Sequence, residues 1–231
     1  MATRGSIREM LCDAAVTAVA GHDQPRSKAH ACVVAETVSA LVRGRRGHFQ
    51  MESGYHSSSW SDLDALFDRP DELRPFVSEL ARRLSAHGPD AVCGPMTGGA
   101  KLAELIATEL GLDRFVAERL EPPRATGMFP VRYRLPDAQR PSARGRRIAI
   151  VDDAISAGSA VRGTYADLVA CDARPVALGA LIVFGDAAVG FAAGSRLALE
   201  AIDRVPLAMW LPADCPLCGR GVPLDTLTRS G

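Results

Sequence analysis

An open, mainly parallel α/β sheet with helices on both faces is the fold the sequence predicts, on three observations. Short apolar runs alternate with amphipathic stretches from Asp68 to Phe184. Two of the runs end in small-residue, glycine-bearing loops, Gly94 to Gly99 and Ser156 to Ser159, that lead straight into helical patterns. Strands that alternate with helices pair in parallel through right-handed crossovers, which lays helices on both faces of the sheet. Ligands of such sheets sit at the carboxyl ends of the strands, where both glycine loops fall.

Taken in order, Ser6 to Ala20 places Ile7, Met10, Leu11, Ala14, Ala15 and Ala18 at helical spacing, and Ala29 to Val42 does the same with Cys32, Val33, Val38, Leu41 and Val42. Gly44 to Ser61 is rich in Gly, Ser, His and aromatic residues and reads as a surface element with short strands. Asp68 is placed to cap a helix whose first turn holds Pro70 and whose apolar face is Leu73, Phe76, Val77, Leu80 and Leu84. Ala91 to Cys93 is a strand, and a helix through Leu102, Leu105, Ile106 and Leu110 follows its glycine loop. Arg114 to Leu120 and Met128 to Leu135 read as strands around a Pro- and Gly-containing connection. Ile148 to Val151 is a buried strand turning abruptly at Asp152, then come a helix from Ser159 to Ala170 and a strand from Pro175 to Phe184. The stretch from Val205 to Gly231 is Pro- and Gly-rich and reads as an irregular appendage.

Composition narrows the function. In 231 residues, 27 basic and 27 acidic side chains cancel, which disfavours a phosphate-tracking nucleic-acid binder. With 47% hydrophobic and 23% charged residues the chain is globular rather than disordered. No apolar run is long enough to span a membrane and the amino terminus has no signal-peptide core, so a cytoplasmic protein is expected. Only Lys28 and Lys101 among the basic residues are lysine, an excess of arginine that a GC-rich genome explains.

Chemistry concentrates in Ile148 to Ala160. A buried strand ends in two carboxylates, Asp152 and Asp153, and a loop of Ser156, Ala157, Gly158 and Ser159 opens a helix. Loop amides and the positive end of the helix suit an anion such as phosphate. The carboxylates would repel phosphate and suit hydroxyls or a cation, and a phosphorylated pentose satisfies both demands.

These residues resemble the phosphoribosyl diphosphate (PRPP) signature of type I phosphoribosyltransferases. Ser53-Gly54 followed by Ser57 and Ser58 is similar to an early segment of orotate phosphoribosyltransferases, and Gly94 to Gly99 falls at that family's diphosphate loop. The resemblance implies that Asp152 and Asp153 hold the ribose hydroxyls, with Arg119 as a further catalytic residue. Ser156, Ala157, Gly158 and Ser159 would wrap the 5′-phosphate, while Thr97, Gly98, Gly99 and Lys101 would meet the diphosphate and Ser53 and Gly54 would lie on the base side. It also implies Mg²⁺, PRPP and a heterocyclic base as partners, a homodimer, and a small hood from the terminal segments. The expected division is residues 1–64 for amino-terminal helices and hood, 65–195 for the core, and 196–231 for a carboxyl-terminal strand and tail within the hood.

Where the family carries lysine, this chain has Glu52, Thr97 and Leu120, and its arginine on the orotate carboxylate aligns with Gly185 or Asp186. Arg132 and Arg134 share one strand face; a diphosphate clamp and a solvated face are equal readings of them. The expected reaction is transfer of ribose 5-phosphate from PRPP to orotate or a similar pyrimidine. The alternative is a nucleotide-binding sensor on the same fold. Separately, Cys215 and Cys218 have the spacing of a zinc half-site, whose remaining ligands would be other cysteines, a histidine or a dimer mate; free thiols or a redox pair are the rival readings.

Overall fold

Runs without polar alternation become the centre of the sheet because only a strand covered on both faces can bury every side chain. The computed structural model describes residues 37–120 and 127–226. The expected helix from Ser6 to Ala20, residues 29–36 of the next one, and the 121–126 connection lie outside them.

From Thr37 onward the expected helix to Val42 is absent. Val38–Leu41 forms one 3₁₀ turn between extended Thr37 and Val42, and β1 (Arg43–Gln50) pairs antiparallel with β2 (His56–Asp62). Gly44 and Gly47 among the arginines disfavour helix propagation. Two helices follow, α1 (Asp64–Phe67) and α2 (Pro70–Ser85). Asp68 terminates α1 rather than capping α2; Arg69 holds the cap position, and Pro70 occupies the first turn as expected. Asp71 and Glu72 at the start of α2, with Arg82 and Arg83 at its end, match the helix dipole.

The core continues as β3 (Ala91–Pro95), α3 (Gly98–Leu110), β4 (Asp113–Leu120), β5 (Arg132–Arg134), α4 (Arg140–Ala143), β6 (Arg147–Ile155), α5 (Ser159–Ala170), β7 (Arg174–Phe184), α6 (Ala187–Gly194) and β8 (Ala198–Val205). Six strands lie in the order β5-β4-β3-β6-β7-β8, all neighbours parallel except β4 and β5. Ile148 and Ile150 of β6 pack on one face with Val161 and Leu168 of α5. Ala149 and Val151 pack on the other with Leu80 and Leu84 of α2 and Leu102 and Ile106 of α3. Each of these fully buried leucines and isoleucines contributes about 1.5–3 kcal/mol.

Three boundaries depart from expectation. Strand β6 does not stop at Val151; it stays in register with β7 through Asp152↔Ala180 to Ile155↔Val183, because the apolar run of β7 gives it a partner beyond the acids. Ladder pairing reaches only Arg132–Arg134 of the expected Met128 to Leu135 strand. The segment Ala198–Val205, expected with the hood, is instead the edge strand of the large sheet, parallel to β7.

Beyond β8, the chain forms β9 (Met209–Trp210), a 3₁₀ turn Pro212–Asp214, α7 (Pro216–Gly219) and β10 (Asp225–Thr226). These short strands flank the β1–β2 hairpin in a second sheet, β10-β1-β2-β9. Among the described residues the hood is therefore a four-stranded sheet that joins the β1–β2 hairpin to the carboxyl-terminal segment. No helix among the described residues is long and apolar enough to cross a membrane.

Candidate active site

A cleft of about 1330 Å³ opens at the carboxyl ends of β3 and β6, between the core and the hood. Asp152 and Asp153 reach it from the carboxyl-terminal half of β6. Asp152 is buried, and burial together with the neighbouring Asp153 charge pushes its carboxyl well above the usual carboxylate range. Its Oδ1 accepts the Asp153 N–H at 3.1 Å, and Asp153 Oδ1 accepts the Ala154 N–H at 2.8 Å. Opposite them, α3 begins with two glycines for a steric reason. A Cβ on Gly99 would stand 2.7 Å from Asp152 Oδ1, and one on Gly98 would collide with the Asp153 carboxylate. Their absence lets the positive end of α3 close onto the acid pair.

Next to the acids, residues 156–158 turn β6 into α5. Gly158 adopts φ +84°, a left-handed conformation that glycine tolerates without strain. Among the described residues no backbone acceptor takes the N–H groups of Gly158 and Ser159, which are the donors a bound anion would use. Ser156, Gly158 and Ser159 line the cleft. Ala157 is 1% exposed and is not a lining residue. Arg162 on α5 steadies this loop from outside, donating from Nε to the Ala157 carbonyl at 3.2 Å and stacking on Phe191 with its guanidinium carbon 4.4 Å from the ring centre.

The far wall holds the departures from the family pattern. Glu52, where the resemblance expects lysine, accepts from Arg119 Nε at 3.0 Å and from the Tyr133 hydroxyl at 2.9 Å. All three line the cleft, with Thr97, Gly98, Lys101 and Ser53. Lys101 Nζ lies 3.3 Å from Asp64 and over the Phe67 ring. Gly54 is placed differently from expectation. It closes the Met51 to Tyr55 turn at φ +87°, donating to the Met51 carbonyl, and is not a lining residue.

Arg132 and Arg134 are not a clamp on this cleft. Strand alternation aims Tyr133 inward and leaves both arginines exposed on the opposite face, where Arg134 pairs with Asp137 at 2.6 Å. Asp186 is likewise exposed and outside the cleft, at the start of α6. Sequence reasoning missed Tyr133 as a lining residue, and also Arg45, whose guanidinium lies 5.0 Å from the Trp60 ring centre with both residues facing the cleft. Phe184 and Leu207 add apolar side chains to the lining. Cys215 and Cys218 lie in the hood, apart from the cleft lining.

No family model matches the chain. It is 29% identical over 192 residues to the orotate phosphoribosyltransferase of Thermotoga maritima, covering 83% of this chain and 94% of that one. Among solved structures it is similar to orotate phosphoribosyltransferase from Aeropyrum pernix, with TM-score 0.54 and 20% identity over 71% of this chain and 88% of that one. Adenine phosphoribosyltransferase from Trypanosoma brucei, solved with AMP, pyrophosphate and ribose-5-phosphate, shares the fold at TM-score 0.57 and 12% identity, covering 71% and 76%. The acid pair, the loop behind it and this likeness over most of the chain give the protein the fold of the type I phosphoribosyltransferases, and among these pentosyltransferases it resembles the orotate enzymes.

Proposed function

We propose that the cleft transfers ribose 5-phosphate from PRPP to a ring nitrogen of orotate or an orotate-like pyrimidine. The observation that carries this reading is the adjacency of Asp152 and Asp153 to the 156–159 loop in one cleft. In this reading the loop amides and the α5 terminus hold the 5′-phosphate, and the two carboxylates accept hydrogen bonds from the ribose hydroxyls. As the bond from C1 to diphosphate breaks, positive charge grows on the sugar, and the same carboxylates stabilise it more than they stabilise the ground state. Thr97, Gly98 and Lys101 face the diphosphate, and Arg119 reaches it by exchanging its Glu52 partner for substrate oxygens.

Hard carboxylate oxygens suit Mg²⁺, and a buried pair of like charges gains from a cation beside it. Asp152 and Asp153 are the residues that would face Mg²⁺, which supplies charge neutralisation to the leaving diphosphate.

For the acceptor, the lining offers the Trp60 ring with the Arg45 guanidinium over it, and the apolar Phe184 and Leu207. A planar heterocycle fits such a surface, and Arg45 offers the cation that an acidic base such as orotate needs in place of the family's arginine. No observation favours the sensor reading. The test is diphosphate release from PRPP and Mg²⁺ with orotate, uracil and adenine offered separately. Turnover with orotate is expected; turnover with adenine alone would reassign the acceptor, and no release with any base would overturn the enzyme reading.

A further inference from the structure

Away from the cleft, the hood gathers four metal-ligating side chains that nothing in the transferase chemistry uses. His48 on β1 and His56 on β2 meet Cys215 and Cys218, which bracket the start of α7, and one ligand atom from each lies within 4.8 Å of all the others. His48 Nε2 is 3.1 Å from His56 Nδ1, 3.4 Å from Cys215 Sγ and 3.7 Å from Cys218 Sγ, while Cys218 Sγ is 3.3 Å from His56 Nδ1. Bonds of about 2.0–2.3 Å from a tetrahedral zinc would set such atoms about 3.3–3.8 Å apart. The orientation of His48 is independently fixed. Its Nδ1 is 2.8 Å from the Val222 carbonyl oxygen, so that nitrogen carries the proton and Nε2 presents a lone pair to the cluster. The turn that carries the cysteines is shaped for the task, with Gly219 N–H donating to the Cys215 carbonyl and Gly221 N–H to that of Cys218.

We infer that His48, His56, Cys215 and Cys218 form a closed, structural zinc site that ties the carboxyl-terminal strap to the β1–β2 hairpin. Two thiolates and two imidazoles in a compact tetrahedral set select zinc over hard cations, and four protein ligands leave no open position for catalysis. The strap needs such a tie. Between Pro206 and Thr226, Cys215 is the one buried residue, and its sheet pairings are two residues long at each end. Metal coordination supplies what an apolar core would otherwise provide. The site stands whatever base the cleft accepts.

The test is elemental analysis of the untagged full chain purified under reducing conditions without chelator, followed by cobalt substitution. About one zinc per chain is expected, with tetrahedral d–d bands and sulfur-to-metal charge transfer in the cobalt form. Cys218→Ser at the exposed ligand should weaken retention against a chelator at least tenfold, and His48→Ala should lose it. Should either variant fold poorly, the wild-type cobalt spectrum decides alone. A reduced wild-type chain that neither contains zinc nor takes it up, or a cobalt form without sulfur charge transfer, would overturn the site.

Discussion

Asp152 bears two demands that conflict. Its carboxyl is buried beside Asp153, which favours the protonated form, yet a hydroxyl-accepting, charge-stabilising role needs the carboxylate. A folded-state pKa above the unfolded one means that the native protein binds the proton more tightly. Its stabilising effect is therefore full below the ordinary carboxylate range and is lost as pH rises through the raised value. Replacing Asp152 with Asn removes this loss, so the ligand-free variant should have a higher Tm than wild type at neutral pH while turnover falls by about 10²–10³. A variant whose Tm keeps the wild-type dependence on pH would contradict the assignment. Glu52 is the second residue at odds with a polyanionic substrate. Held by Arg119 and Tyr133, it keeps the Arg119 side chain positioned in the cleft wall, and PRPP has to compete with it for the guanidinium.

At the level of elements, β5 decides which arginines matter. Because Tyr133 takes the inward position, Arg132→Ala and Arg134→Ala should each leave the KM for PRPP within about twofold of wild type, whereas Arg119→Ala should raise it by about tenfold, the loss of roughly 1.4 kcal/mol of binding. Equal effects at all three positions would mean that the strand faces are reversed. The sequence revealed that Arg132 and Arg134 share a face but not which face, since alternation fixes partners and not direction. The β6 loop and α5 were legible because their signal is local, a buried run followed by acids and small residues. The Glu52 partnership was not, its members being 67 and 81 positions apart in the chain. The strand expected within 196–231 was assigned to the hood and not to the large sheet, because Glu200, Asp203 and Arg204 interrupt the apolar pattern of β8, as an edge strand permits.

For the whole molecule, the hood is the weakly held part and the core the strongly held one. If zinc closes the hood, stripping it should expose the strap, and trypsin cleavage after the exposed Arg220 should accelerate by tenfold or more while α2, α3 and α5 stay protected. Identical digestion with and without metal would show that the strands alone hold the strap. The cysteine half of the cluster was visible as spacing; the histidine half was not, because two scattered histidines carry no motif until folding joins them. That distance has a consequence for biosynthesis. His56 and Cys218 are 162 positions apart, so at about 5–20 residues per second a ribosome needs about 8–32 s to deliver the second after the first. During that interval the core strands up to β8 emerge in order while the β1–β2 hairpin waits for the second half of its metal site. Every residue that lines the cleft, the last being Leu207, leaves the ribosome before Cys215, so a chain truncated just upstream of Cys215 would carry the whole binding surface on a hairpin that nothing yet ties down.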